Sequence, residues 1–166
     1  MARLLNEMLG AGVINTYAVF GAVAQMRYTE AVATLDADVL VGVPAPAGLD
    51  VLRPIYQFCA ARGYQPEGEA IRVGAWPVQF IVAFSPLTEE AMQHAQVEEV
   101  GGVPLRVVGP DYLAAIALSV GRAKDHARVL ALFEAGATTV GAVAALAARN
   151  GLAAKWAAFQ GRFLDG

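Results

Sequence analysis

The stretch TLDADVLVG, residues 34–42, carries two aspartates directly in front of an apolar, β-branched run. Such runs are typical of buried strands, which seldom contain Asp. Because alternate side chains of a strand share a face, the pattern predicts Asp36 and Asp38 on one face and Leu35 and Ala37 on the other. Two carboxylates on one face suit Mg²⁺, which takes one or two protein carboxylates together with substrate phosphates.

A glycine lies just upstream, in VFGAVAQ at residues 19–25. We expect a strand over residues 15–20 and, from Gly21 onward, a helix over residues 21–32. A glycine at a strand-to-helix junction lets a phosphate approach the backbone, and the first N–H groups of the helix are free to bind it. Gly21, Asp36 and Asp38 together predict a site for a nucleoside triphosphate and its metal ion.

The rest of the chain predicts a mixed α/β part followed by helices. We expect a short helix over residues 1–9, a helix over 49–63 with Pro54 in its first turn, two strands within 69–84, a helix over 86–95 with Thr88 as N-cap, and two strands within 97–108 that turn at Gly101 and Gly102. From residue 110 onward the pattern predicts four helices, the last two separated at Asn150 and Gly151.

The composition limits the class of protein. The 166 residues are 57% hydrophobic and 16% charged, which excludes a disordered chain and leaves apolar surface for a homo-oligomer. The net charge of −3, with no basic run, argues against direct binding to nucleic acid through phosphate contacts.

The same sequence predicts a cytoplasmic protein. Its single cysteine, Cys59, cannot form an internal disulfide and fits a reducing compartment. Asn6 and Glu7 interrupt the apolar residues of the first ten positions, so these are not expected to form a signal peptide. No apolar run reaches the roughly 18 residues that a membrane span needs.

Taken in order, these motifs resemble the nucleotidyltransferase (polymerase-β-like) superfamily, and in particular its small bacterial members related to toxin–antitoxin systems. The resemblance covers nearly the whole chain. It rests on the strand–Gly–helix segment, on Thr34-x-Asp36-x-Asp38, and on SPLTEEAMQHA (85–95), VVGPDYL (107–113) and GRAKDHA (121–127). It implies a mixed sheet flanked by helices, with residues 1–109 as the nucleotidyltransferase-like α/β core and residues 110–166 as a helical C-terminal part.

The resemblance also implies an activity and its residues. Family members transfer a nucleoside monophosphate from an NTP to an acceptor, with Mg²⁺ as cofactor. Asp36 and Asp38 would be the catalytic, metal-binding pair. The nucleotide-binding positions would be Gly21, Ala22, Thr34, Arg122 and Lys124, and we expect the GRAKD segment to close over the aspartates.

Four positions depart from the pattern that the family implies. Gln79 stands where active members usually carry a third acid, Ala22 where they often have Ser, Ala117 where a Lys is common, and Arg128 where an acid is common. These departures favour an alternative hypothesis, a non-catalytic member that binds a nucleotide or a partner protein, as in a toxin–antitoxin pair. If transfer is nevertheless robust, Glu67 or Glu69 would have to supply the missing acid.

Simpler explanations of the same residues remain open at this point. Asp36 and Asp38 could face solvent at a strand end, Gly21 could cap a turn, and GRAKD could be an exposed helix start. His94 and His126 lack the partners of a metal site. Cys59 fits a core thiol, and Trp156, Phe159 and Phe163 fit the packing face of the last helix.

Overall fold

The computed structural model describes residues 1–30, 34–44 and 50–165. Within these ranges the chain forms seven strands and eight helices. The strands are β1 (Thr16–Phe20), β2 (Ala37–Gly42), β3 (Gln65–Glu67), β4 (Ala70–Val73), β5 (Trp76–Val82), β6 (Gln96–Val100) and β7 (Val103–Val107). The helices are α1 (Ala2–Gly10), α2 (Gly21–Gln25), α3 (Arg53–Ala60), α4 (Pro86–Gln93), α5 (Pro110–Val120), α6 (Ala123–Glu134), α7 (Val140–Arg149) and α8 (Ala153–Phe163).

All seven strands belong to one mixed sheet, in the order β3-β4-β5-β2-β1-β7-β6. Strand β2, which holds the VLV run of the opening stretch, is the central strand. It pairs antiparallel with β1 and parallel with β5. Val39, Leu40 and Val41 are fully buried, because both faces of a central strand are covered. The mixed sheet flanked by helices confirms the fold class expected from the sequence.

The turn and cap residues explain most element boundaries. Gly101 and Gly102, both with positive φ, turn β6 back onto β7 as predicted. At α4 the N-cap is Ser85, so the prediction of Thr88 as N-cap was wrong. Pro86 occupies the first turn, and Thr88 is the third helical residue of a capping box, in which each hydroxyl oxygen accepts a hydrogen bond from the other residue's backbone N–H.

Two elements differ from the sequence prediction. Helix α2 ends at Gln25 instead of continuing to residue 32, because the amides of Tyr28 and Thr29 both turn back onto the Gln25 carbonyl oxygen. Residues 31 and 32, the end of the predicted helix, lie outside the described ranges. Strand β3 was not predicted, since its three exposed residues include Pro66 and carry no apolar alternation.

The four C-terminal helices occur where the sequence predicted them. Helix α5 contacts α2 of the sheet-bearing part as well as α6, α7 and α8. Trp156 and Phe159 of α8 are buried, and Phe133 of α6 packs edge-on to Trp156. The aromatic stripe is therefore a packing face. Among the helices of the described ranges, none has both the length and the apolarity needed to cross a membrane.

Candidate functional site

A cavity of about 730 Å³ opens between the central strands of the sheet and helices α5 and α6. Its polar lining holds most of the residues singled out in the sequence: Gly21, Thr34, Asp36, Asp38, Gln79, Arg122, Lys124, Asp125 and Arg128. Its apolar lining includes Ile81, Phe84, Leu113, Ile116, Ala117 and Val120. The described residues therefore bring the predicted site together in one place. Ala22, whose side chain is buried, does not line the cavity.

Asp38 lies at the centre of the sheet. In the strand register it is opposite Phe20 of β1 on one side and Gln79 of β5 on the other. Gln79 and Asp38 therefore share a face of the sheet. The pairing puts a neutral amide beside the carboxylate.

Asp36 does not belong to the strand, contrary to the prediction. It lies in a bend just before β2, where the Thr34 hydroxyl donates hydrogen bonds to the Asp36 backbone oxygen at 3.0 Å and to its carboxylate at 3.4 Å. The strand alternation does not extend through this bend. Consequently Leu35, which was expected on the opposite face, lines the same cavity as both aspartates and is 90% exposed.

Gly21 begins α2 next to Asp38, as predicted. Its φ of +65° lies in the left-handed region that favours glycine. A Cβ atom at this position would lie 2.5 Å from Oδ2 of Asp38. Only a glycine lets the backbone come this close to the carboxylate.

The GRAKD segment lies over the aspartates and forms the start of α6. The buried carboxylate of Asp125 accepts hydrogen bonds from Arg122 Nε at 2.7 Å and from the Arg122 backbone N–H at 3.2 Å, and it pairs with Arg128 at 3.4 Å. Lys124 is exposed toward the cavity and forms no ion pair with any residue that the structure describes. Lys124 is thus the cation of this segment that is available to a ligand.

These surroundings shift the pKa values of Asp38 and Asp125. Burial, and next the charge of Asp36, raise the pKa of Asp38, while Arg128, Lys124 and Arg122 oppose the shift. Burial also acts to raise the pKa of Asp125, but the hydrogen bonds from Arg122 and the charge of Arg128 outweigh it, so that this pKa is lowered. Asp125 is therefore a structural anion, whereas the cations near Asp38 offset the effects of burial and of Asp36 only in part.

Two residues of the cavity were not recognised from the sequence. Gln25 lines the cavity although it is only 2% exposed, and no described group is hydrogen-bonded to its side-chain amide. The signal was its position four residues after Gly21, on the same face of the helix. From the sequence, Arg128 was interpreted only as a position where the acid common in the family is replaced. In the structure it contributes a third cation near Asp38.

The oxygen ligands suit one magnesium ion better than two. In the part of the chain that the structure describes, no group of three or more His, Cys, Asp or Glu residues is placed to hold a metal. Glu67 and Glu69 line a smaller cavity of about 290 Å³, shared with Asp36 and Gln79, but Glu67 is paired with Arg72. Asp36 and Asp38 alone match the one or two carboxylates that Mg²⁺ takes beside substrate phosphates.

The remaining chemically active side chains have structural surroundings. His126 packs against Phe159 and Phe163, and His94 stacks on Tyr112. Cys59 is buried, and burial raises the pKa of its thiol to about 11, so it is inert at neutral pH.

The described residues form a mixed sheet flanked by helices, and solved structures show that this is a nucleotidyltransferase-like fold. The chain is similar to an antigenic nucleotidyltransferase-like protein from Paracoccidioides brasiliensis, with a TM-score of 0.58 at 13% identity over 95% of this chain and 90% of that one. It is also similar to the antibiotic-resistance factor ANT(2'')-Ia in solution, with a TM-score of 0.51 at 14% identity over 97% and 95% of the two chains. No protein-family model and no curated protein matches the sequence. At these identities the likeness establishes the fold.

Proposed function

We propose that this protein binds an NTP together with a single Mg²⁺ ion and transfers the nucleoside monophosphate to an acceptor hydroxyl, slowly. The observation that carries the proposal is the meeting of Gly21, Asp36, Asp38 and Lys124 in one cavity of a nucleotidyltransferase-like fold. These residues come from three separate segments of the chain, and no simpler structural role accounts for their convergence.

Each residue has a role that follows from its surroundings. Asp36 and Asp38 would hold the Mg²⁺, with Thr34 orienting Asp36 through its hydrogen bonds. A cation there would offset the burial that raises the pKa of Asp38. The first backbone N–H groups of α2, those of Gly21 and Ala22, would bind the triphosphate, and the absence of a side chain at Gly21 leaves room for the Asp38 carboxylate beside them.

The positive charge for the triphosphate would come mainly from α6. Lys124 is exposed toward the cavity, while the Arg122 guanidinium is shared with Asp125. We therefore assign the larger electrostatic contribution to Lys124 and a smaller one to Arg122. Arg128 adds charge from a half-buried position and is also shared with Asp125.

The chemistry is an in-line displacement at the α-phosphorus. The acceptor oxygen forms a new O–P bond, the bond from phosphorus to the bridging oxygen breaks, and pyrophosphate leaves with the electron pair. When bound, Mg²⁺ supplies charge neutralisation to the phosphates. Gln79 is an amide without a basic oxygen, so the hydroxyl proton passes to water and general-base assistance is lost. This is the reason to expect slow transfer.

A rival function is a non-catalytic NTP sensor or protein-binding member of the same fold. The neutral Gln79 beside Asp38 favours this rival, because the second metal of a two-metal centre lacks its ligand. The two functions share the nucleotide site and differ in turnover. Under this rival function, the partner protein would be a toxin or an antitoxin.

Thermal unfolding with and without NTP and Mg²⁺ tests the shared site. A ligand that binds only the native state at 100 times its Kd adds about 2.7 kcal/mol, or roughly 5–10 °C in Tm for a chain of this size. We expect ATP or GTP to raise the Tm only when Mg²⁺ is present, and Asp36→Ala to abolish the rise. Equal stabilisation without Mg²⁺, or none with any NTP, would refute the proposal.

Release of labelled pyrophosphate from the same samples then separates the enzyme from the rival. Slow release that requires Asp36 supports transfer. An NTP-stabilised protein with no release over hours supports the non-catalytic function.

A further inference from the structure

Three large apolar side chains at the mouth of the cavity are exposed to water. Leu35 is 90% exposed, Phe84 63% and Val120 47%, and all three line the cavity that holds the aspartates. Large exposed apolar side chains that line one cavity together with polar groups mark a place where a ligand or partner binds.

The apolar surface continues into the cavity from both walls. On β5, Ile81 follows Gln79 by two residues and therefore lies on the same face, and Phe84 comes shortly after the strand ends. On α5, Leu113, Ile116, Ala117 and Val120 recur at helical spacing and line the opposite wall. We call this surface, together with Leu35, the apolar trough. On β5 it begins beside Gln79.

The direction of phosphoryl transfer indicates which substrate would bind in the apolar trough. Gly21, beside which the triphosphate would lie, and β5 are on opposite sides of β2. The attacking and leaving oxygens lie roughly in line across the α-phosphorus. If the pyrophosphate leaves on the Gly21 side, the acceptor hydroxyl approaches from the β5 side, where the trough begins.

The charges around the trough exclude a polycationic acceptor. Asp36 and Asp38 would hold the proposed metal ion, Asp125 is paired with arginines, and Glu67 is paired with Arg72. Apart from Asp36 and Asp38, Glu69 is the one acid lining the two cavities that has no ion pair with a described residue, and it is exposed. A ligand with several ammonium groups would meet Lys124, Arg122 and Arg128 without compensating anions.

We propose that the acceptor is an uncharged hydroxyl compound with an apolar body, which packs in the trough against Leu35, Phe84 and Val120. The assignment rests on the proposed NTP–Mg²⁺ site, since that site sets the direction of attack. The acceptor oxygen replaces pyrophosphate on the α-phosphorus, and the apolar body contributes binding that does not depend on charge.

Saturation-transfer-difference NMR with 3-phenyl-1-propanol as probe tests the assignment. The probe is added to protein saturated with ATP and Mg²⁺, and its aromatic signal is compared among variants. We expect Leu35→Gln combined with Phe84→Ser to weaken probe binding at least about tenfold, because two large apolar contacts are lost. Val97→Ser, which changes an exposed valine on β6 outside the cavity, should leave the signal unchanged. The Tm shift by ATP and Mg²⁺ should survive in all three proteins.

Three results would overturn the assignment. The first is a probe signal that is insensitive to the Leu35 and Phe84 changes. The second is strong binding of a polyamino sugar, tobramycin, that is lost in Glu69→Gln. The third is a wild-type dimer in sedimentation that becomes monomeric in the Leu35/Phe84 variant, since a second copy would then cover the trough.

The NTP control separates the two proposals. If ATP and Mg²⁺ do not shift the wild-type Tm, the proposed function fails and the acceptor assignment fails with it. If the shift is present and the probe result is negative, only the acceptor assignment fails.

Discussion

At the scale of single residues, the candidate site lowers the stability of the ligand-free protein and favours the binding of a cation. Burial, and next the charge of Asp36, raise the pKa of Asp38, so both oppose the ionised form of this carboxylate. The positive groups of α6 relieve this only in part. Sites that bind cations are commonly built in this way, and the stability is recovered when the ligand binds.

Asp38→Asn should therefore stabilise the ligand-free protein at pH 7. Since the folded-state pKa is raised, ionised Asp38 opposes folding above that pKa, and its removal should gain about 0.5–2 kcal/mol in the free energy of unfolding. The gain should shrink as the pH falls through the raised pKa, because wild-type Asp38 is then protonated. Denaturant titrations between pH 4 and pH 7 measure it, with Asp165→Asn as a charge-matched control at an exposed position. A loss of stability at pH 7 would contradict the burial argument.

Gly21→Ala should lose both stability and ligand binding. The left-handed backbone alone costs about 1–2 kcal/mol with a side chain, and the new methyl group would also displace the Asp38 carboxylate. Gly12→Ala is a matched control, since Gly12 has a φ of +67° and open space around its Cβ position. We expect both variants to lose stability in thermal unfolding and only Gly21→Ala to lose the NTP–Mg²⁺ shift. Retention of that shift in Gly21→Ala would separate Gly21 from the site.

At the scale of elements, the start of α6 is a charged cap that holds the cations over the sheet. Asp125 satisfies the Arg122 backbone N–H and pairs with two arginines. Its position three residues after the N-cap also favours the helix dipole. The carboxylate therefore supports both the helix and the placement of Lys124.

Asp125→Asn should destabilise the protein by about 1–2 kcal/mol at pH 7. The folded-state pKa of Asp125 is lowered, so its contribution is present above the unfolded-state pKa and is lost as the pH falls through the folded-state value. The difference from wild type should accordingly vanish in acid. Chemical denaturation at pH 7 and below pH 3 checks this, with Glu134→Gln at the other end of α6 as control. An equal deficit at both pH values would assign the loss to packing instead of charge.

The sequence predicted the elements that carry a strong periodic or turn signal. The buried VLV run, the Gly101–Gly102 turn and the four C-terminal helices all occur as expected, since local pattern and burial agree there. The predictions that failed lie where hydrogen bonds between nearby residues override the apolar pattern. The bend at Asp36 depends on Thr34, the early end of α2 depends on backbone turns at Gln25, and the exposure of Leu35 follows from that bend.

The site residues that belong to a recognisable sequence motif were predicted, and those outside such motifs were not. Asp36, Asp38, Gly21 and Lys124 were expected together from the resemblance, and the fold places them in one cavity. Gln25 and the apolar trough were not predicted, because a buried amide and exposed apolar side chains are visible only once the walls of the cavity are in place.

At the scale of the whole molecule, one central claim remains: the cavity is built for one metal ion. Gln79→Asp should supply the missing carboxylate directly opposite Asp38. We expect this variant to be less stable without ligand by about 0.2–1 kcal/mol, because like charges then face each other across the strands. With Mg²⁺ and ATP the order of stability should reverse, and transfer should become faster. A Gln79→Asp variant with unchanged metal affinity would contradict this role of position 79.

Counting the bound metal tests the claim most directly. Equilibrium dialysis with Mn²⁺ and an ATP analogue that is not cleaved between its α- and β-phosphates gives the metal and nucleotide bound per chain. The account predicts one Mn²⁺ and one nucleotide in the wild type, no bound metal in Asp38→Asn, and a second Mn²⁺ in Gln79→Asp, where a two-metal centre has its third acid. Two Mn²⁺ ions per chain in the wild type would contradict the account.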